Sequence, residues 1–200
     1  MSRAFAVGKL PPNVLQRALA QIPIEDERVR IGPRVGEDAA AIAFGETYLV
    51  AKTDPITFAA ERIGWYAVHI NANDVAVMGA RPRWFLAALL LPEEKTDAAL
   101  VEQIFQDILS ACRELGVTLC GGHTEITYGL DRPVIVGHML GEVPRERLVE
   151  KRMEPGDHIL LTKGVAIEGT AILAREKASE FASEGETALV ERAKIGRAHV

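Results

Sequence analysis

The sequence predicts an α/β (α+β) fold, and three observations predict it. The stretch Gly64 to Pro82, GWYAVHINANDVAVMGARP, repeats Trp65, Val68, Ala72, Val75 and Ala76 at helical spacing, so one face packs inward while Asn71 and Asp74 fall elsewhere on the cylinder. Two apolar runs, Ala39 to Phe44 and Thr47 to Thr53, flank Gly45-Glu46 and read as strands joined by a tight turn. Arg83 to Leu91 is a continuous apolar run closed by Pro92, the pattern of a strand buried on both faces.

The remaining elements follow in order. Pro11 to Ile22 reads as a first helix with proline at its opening and Val14, Leu15, Ala18, Leu19 and Ile22 on one face; Gly8 and Lys9 precede it in a segment expected to be mobile. The central helix stops where Gly79 takes the left-handed cap conformation and Pro82 forbids continuation. Thr96 and Asp97 offer an N-cap to a second long helix striped by Val101, Ile104, Ile108, Leu109, Cys112 and Leu115 and ending at Gly116. Val117 to Cys120 reads as a short strand running into Gly121-Gly122, and Pro133 to Glu142 as another after a loop holding Tyr128 to Arg132. The charged stretch Arg145 to Pro155 ends in Pro-Gly-Asp and marks a boundary between domains at 1–150 and 151–200. Beyond it, His158 to Lys163 reads as a strand and Gly164 to Ala174 as the start of a helix.

Composition narrows the function classes. With 48% apolar and 26% charged residues the chain is an ordinary globular protein, and a net charge of −5 with no basic run argues against nucleic acid as a partner. The longest apolar run, Trp84 to Leu91, falls far short of the roughly 20 residues that span a bilayer, and the N-terminus MSRAFAVGKLPP has no secretory pattern, so a cytoplasmic location is expected. The two cysteines, Cys112 and Cys120, make no disulfide framework and read as small core residues.

Chemistry concentrates in three acidic motifs, GEDAA at 36–40, KTDP at 52–55 and the Asn-Asp pair at 73–74. Magnesium takes oxygen ligands and is usually held by one or two carboxylates together with substrate phosphates. Asp38, Asp54 and Asp74 can do this if the fold brings the hairpin ends beside the central helix; otherwise the first two are turn residues and the third a solvated helix position. Gly121 and Gly122 let backbone amides approach an anion. Lys9 is either a phosphate-neutralising cation or a solvated surface lysine. Lys52, which points to the strand face opposite Thr53, is a weaker candidate than Lys9, and Arg81 and Arg83 read as substrate contacts or, preferably, as helix C-terminal charges favoured by the dipole. The phosphate loop with lysine and serine or threonine is missing, as is the dinucleotide glycine pattern, and no nucleophile triad is visible.

GEDAA, then TDP, then NANDVAVMGARP, then LCGGHTE at 119–125, in register from about Lys9 to Ala174, resembles the PurM-like, AIR synthase-related ATP-binding superfamily. That superfamily includes aminoimidazole ribonucleotide synthetase, thiamine-monophosphate kinase, selenophosphate synthetase and HypE-type hydrogenase maturation factors. The resemblance implies a mixed sheet with helices on one face, followed by the start of a second, truncated α/β domain over 151–200. It implies the cofactors ATP and Mg2+, with metal ligands Asp38, Asp54, Asp74 and Glu125. Nucleotide contacts fall to Asp38, Asp54, Asn71, Asn73, Gly121, Gly122 and Thr124, and catalytic roles to Lys9, Asp74 and His123, with Glu37 behind the ligands. His123 stands where the family pattern usually has an acidic residue, so Glu125 supplies the missing carboxylate or the site binds one metal fewer.

The phrases NDVAVMGARP, GHMLGEV and IEGTAILA look most like the HypE branch, implying an ATP-dependent enzyme that activates an amide or phosphate oxygen, as in carbamoyl dehydration for nickel–iron hydrogenase maturation. Alternatives are a thiamine-monophosphate kinase-like or AIR synthetase-like enzyme, or an ATP-binding regulatory module without catalysis. Selenophosphate synthetase ranks lower because no cysteine precedes Cys112. Expected partners are the nucleotide, a small-molecule or carbamoyl-type substrate, a second copy of the chain in a homodimer, and hydrogenase maturation proteins; neither nucleic acid nor membrane is expected. The last six residues, IGRAHV at 195–200, resemble read-through of a sequencing adapter and carry no expectation for the fold.

Overall fold

A computed structural model describes residues 4–59, 61–161, 164–183 and 187–194. Helix α1 (Pro12–Leu19) leads to strands β1 (Val29–Ile31), β2 (Ala40–Phe44) and β3 (Thr47–Ile56), then helix α2 (Ile63–Ala76), strand β4 (Arg81–Pro92), helix α3 (Ala98–Leu115), and strands β5 (Thr118–Thr127) and β6 (Val134–Pro144). A 3-10 turn at Arg145–Arg147 precedes three helices, α4 (Ile167–Glu176), α5 (Ala178–Ser183) and α6 (Thr187–Lys194). The six strands form one sheet in the order β1-β2-β3-β6-β4-β5. Only β4 and β5 run parallel, joined through α3; every other pair is antiparallel. The sheet is therefore mixed, with α2 and α3 on one face, as the resemblance implies.

Helix α2 sits in the middle of the molecule. Residues Ile63 to His69, with Asn71, Ala72 and Val75, are buried, because the sheet covers one side of the helix and α3 another. This corrects the expectation that Asn71 lies off the packed face: it is fully buried. Close approach of α2 to α3 depends on Gly64, where a Cβ would lie 2.6 Å from the Ile104 carbonyl oxygen and 2.9 Å from Ile108 Cγ1. Trp65 stacks on His69 at 3.7 Å and donates to Glu114 Oε2 on α3 at 3.4 Å. Helix α2 ends as expected, Gly79 taking φ +77°. Helix α3 is capped at both ends: Asp97 Oδ1 accepts from the Leu100 amide at 2.8 Å, and Gly116 takes φ +65°.

Several strand expectations are revised. Strand β4 is buried on one face only: Phe85, Ala87, Leu89 and Leu91 point to the core, while Leu86, Ala88 and Leu90 are half-buried on the face turned away from α2 and α3. Strand β5 does not stop at Cys120 but continues through the glycine pair to Thr127. Pairing with β4 outweighs the poor strand propensity of glycine, and at Gly122, with φ +154°, a side chain would collide with the Ala87 carbonyl. Gly122 thus serves backbone approach within the sheet. Cys120 is exposed on this edge strand rather than in the core, whereas Cys112 is buried, its thiol pushed up to about 11 by desolvation. Arg81 and Arg83 belong to β4, not to a helix end, and Arg83 reaches across to Glu142 on β6 at 3.5 Å. Residues 158–161 form no strand; the rest of that expected strand, 162–163, and the suspect terminus 195–200 lie outside the described residues.

Replacing Gly64 by alanine should destabilise the protein by about 1–3 kcal/mol in urea denaturation, the usual cost of overpacking. The same change in an open helix gains roughly 1 kcal/mol, so the sign alone tests the α2–α3 contact. Asp97→Ala should cost about 1 kcal/mol through loss of the cap.

Candidate functional site

Alternation along β3 puts Lys52 and Asp54 on the same face of the strand, the face over which α2 lies. Asn71, one turn before Asp74 on α2, donates its Nδ2 to the Ala67 carbonyl at 2.8 Å and to the Asp54 carbonyl at 3.3 Å, tying the helix to the strand. Asp74 consequently stands over β3. Lys52 Nζ lies 2.6 Å from Asp74 Oδ2 and 3.1 Å from Asp54 Oδ2. Asp38 enters from the loop before β2 and pairs with Lys151 Nζ at 2.7 Å; that lysine also donates to the Gly36 carbonyl.

These groups border one cleft of about 550 Å³, lined by Gly8, Lys9, Asp38, Lys52, Asp54, Asp74, Glu168 and the apolar side chains of Ile56, Phe58, Ile70 and Ile172. Lys9 arrives from the N-terminal segment and Glu168 from the first turn of α4. Burial opposes the charge on Lys52, but the bonds and charges of Asp74 and Asp54 outweigh it and raise its pKa. Burial also raises Asp74; Lys52 pulls the other way, and Asp38 and Asp54 add to the rise. The two directions have different causes: two carboxylates hold the proton on the one ammonium, while burial is the main reason the aspartate resists ionisation. Glu168 is exposed at its rim position, yet partial desolvation and the charges of Asp54 and Asp74 raise it too.

The second set of expected site residues stands apart. Gly121, Gly122, His123 and Thr124 border a different cavity, of about 380 Å³, between β5 and Phe105 and Ile108 of α3. Register aligns Asp54, Gly137, Ala87 and Gly122 in one row across the sheet, so three strand spacings, about 14 Å, separate Asp54 from Gly122. His123 Nε2 lies 3.1 Å from Glu125 Oε2, and the Thr127 hydroxyl donates to Glu125 Oε1 at 2.6 Å. The Thr127 and His123 bonds hold the Glu125 carboxyl below its usual range. Within one chain, then, Asp38, Asp54, Asp74 and Lys9 share a cleft, while His123, Thr124, Glu125 and the glycine pair do not join them. Asn71 is structural in position, Asn73 is half-buried outside the cleft lining, and Glu37 turns away to pair with Arg34 at 2.6 Å.

Sequence reasoning misses two groups and ranks a third, Lys52, too low although its i, i+2 spacing from Asp54 is the available signal. Glu168 and Lys151 come from beyond the boundary, and no local pattern marks them. Among the described residues no three His, Cys, Asp or Glu side chains are grouped closely enough to cage a metal ion. The donor set is all oxygen and open on one side, which fits magnesium carried in with substrate phosphates rather than an all-protein cage. Among the described residues no helix is long and apolar enough to cross a membrane.

Residues 36–143 match the family described as AIR synthase related protein, N-terminal domain. A carbamoyl dehydratase HypE of Cupriavidus necator is 34% identical over 160 residues, covering 76% of this chain and 45% of the relative. A selenide, water dikinase of Nitratidesulfovibrio vulgaris is 32% identical over 183 residues, covering 86% and 49%. The chain is also similar to a chain of a solved HypE–HypF complex, with TM-score 0.55 and 26% identity over 72% of this chain and 47% of that one. The chain spans about half the length of the curated relatives it matches. With its three aspartates on one cleft and the family match running from the GEDAA motif to the end of β6, the chain belongs to the AIR synthase-related proteins, whose N-terminal domain it carries.

Proposed function

We propose that residues 1–150 form the ATP-binding domain of a cytoplasmic, homodimeric, ATP-dependent enzyme of the HypE-like branch, and that residues from 151 onward begin its second domain. One observation carries the reading: aspartates from three separate motifs meet two lysines in a single cleft. Asp38, Asp54 and Asp74 bind the magnesium that accompanies the nucleotide. Lys9 neutralises phosphate charge as it develops. Bound Mg-ATP supplies the phosphoryl group that activates an amide or phosphate oxygen of the second substrate. Gly121, Gly122, His123, Thr124 and Glu125, too far along the sheet to reach Asp54 within a chain, complete the site from a second copy. The similarity to a carbamoyl dehydratase and to a chain of the HypE–HypF complex supports a carbamoyl-type substrate and hydrogenase maturation partners.

The selenide, water dikinase relatives favour a second reading, phosphoryl transfer to a small inorganic acceptor. Residues 1–111 of this chain contain no cysteine, and that weighs against it.

Calorimetric titration of Mg-ATP into the chain should show magnesium-dependent binding that weakens at least tenfold in Asp54→Asn; equal affinities would remove the aspartates from the site. A second expectation concerns pH. The raised pKa of Asp74 means that protonation favours the folded state, so this group's contribution is fully present below the ordinary aspartate value of 3.8 and is lost as pH rises through the folded value. At pH 7, Asp74→Asn should therefore melt higher than the parent, and the difference should disappear as pH falls below 3.8. It should do so while binding Mg-ATP poorly, the signature of a residue kept for function at a cost in stability.

A further inference from the structure

Among the cations paired with the aspartates of the cleft, Lys52 and Lys151 hold different positions. Lys151 meets Asp38 from a surface segment, with 46% of its side chain exposed. Lys52 is 15% exposed, rises from the interior of β3, and is paired with both Asp54 and Asp74. The separation of those two carboxylates is set by the fold, because Asn71 fastens α2 to the Asp54 carbonyl. Its ammonium therefore fills the space in which a divalent ion would bridge the two aspartates. Nitrogen–oxygen distances of 2.6 and 3.1 Å leave no room there for a second cation, whose own bonds to oxygen would be about 2.0–2.1 Å.

We propose that Lys52 is a built-in cation that takes the place of one divalent ion between Asp54 and Asp74, so the site holds one metal fewer than its carboxylates would otherwise bind. The incoming ion is then left with Asp38 and the second oxygens of Asp54 and Asp74, and it enters by displacing the exposed Lys151 rather than the resident Lys52. The inference rests on the nucleotide-site reading only for the identity of the ligand that brings the ion; the occupancy between Asp54 and Asp74 is a separate matter.

Manganese is a suitable probe, since the unbound ion can be counted by electron paramagnetic resonance. The full chain, Lys52→Met and Lys52→Gln would each be titrated with Mn2+, alone and with ATP. The expected result is one additional Mn2+ in both variants, bound at least tenfold more tightly than any corresponding ion in the parent and lost again when Asp74→Asn is added. Unchanged ion number and affinity in the variants would overturn the proposal. Should the variants fail to fold, the parent chain still decides: acetylation read by mass spectrometry should find Lys52 protected with and without saturating Mn2+ while Lys151 becomes more reactive. Exposure of Lys52 on adding Mn2+ would mean that the ion displaces it, and would equally overturn the proposal. A parent chain that binds Mn2+ but no ATP would sink the nucleotide reading and leave the count of ions to judge Lys52.

Discussion

Close contact between α2 and the sheet is the constraint on which the rest of the molecule depends. It exists because β6 presents glycine beneath the helix: a side chain at Gly137 would collide with the Asn71 amide, and one at Gly141 with Val75. With those glycines in place, Asn71 reaches the Asp54 carbonyl through the interior, and the last turns of α2 lie over β3. The same contact closes the hydrophobic core between sheet and helices, where Val50, Val68, Phe85, Ile108 and Met139 are fully buried. Packing and chemistry therefore have one origin here, since the helix that fills the core also delivers Asp74 to the cleft.

Electrostatics then sets the character of the cleft. Carboxylates from a loop, a strand and a helix are brought within range of one another, which is unfavourable unless cations accompany them. The protein answers with lysines of unequal permanence: one inside the sheet, one on the strap that follows β6, and one on the N-terminal segment. With Glu168 counted, four carboxylates still outnumber these three lysines. A cleft left short of positive charge and rimmed by apolar side chains such as Phe58 and Ile172 is suited to a ligand that combines a cation, phosphates and a flat apolar group.

What the sequence disclosed was what local chemistry decides. The turn at Gly45-Glu46, the cap at Asp97, the stop at Gly79 and the course of α3 each follow from neighbouring residues, and each stands in the structure as read. What stayed hidden depends on partners far along the chain. Gly121-Gly122 looks like a loop until β4 is set beside it, and Arg83 looks like a helix end until Glu142 appears on the next strand. Strand β1 is three residues long and too short to carry a pattern. The placing of Lys52 was legible only in part: its face could be read from alternation, but the second carboxylate that makes it a bridge comes from α2. Separation of the glycine pair and His123 from the aspartates was illegible, because motif order along a chain carries no information about distance across a sheet.

The hydrogen bond from Asn71 to the Asp54 carbonyl has a thermodynamic side. Because a buried amide holds helix and strand together, Asp54 and Asp74 acquire their relative placement when the chain folds. Little further loss of freedom accompanies the arrival of a ligand on that wall. The opposite wall is different, since Lys9 stands on a stretch without regular secondary structure and Glu168 on a helix beyond the sheet. The cleft thus pairs a preorganised floor with a rim that has still to be ordered, so the entropy of association falls almost wholly on the rim.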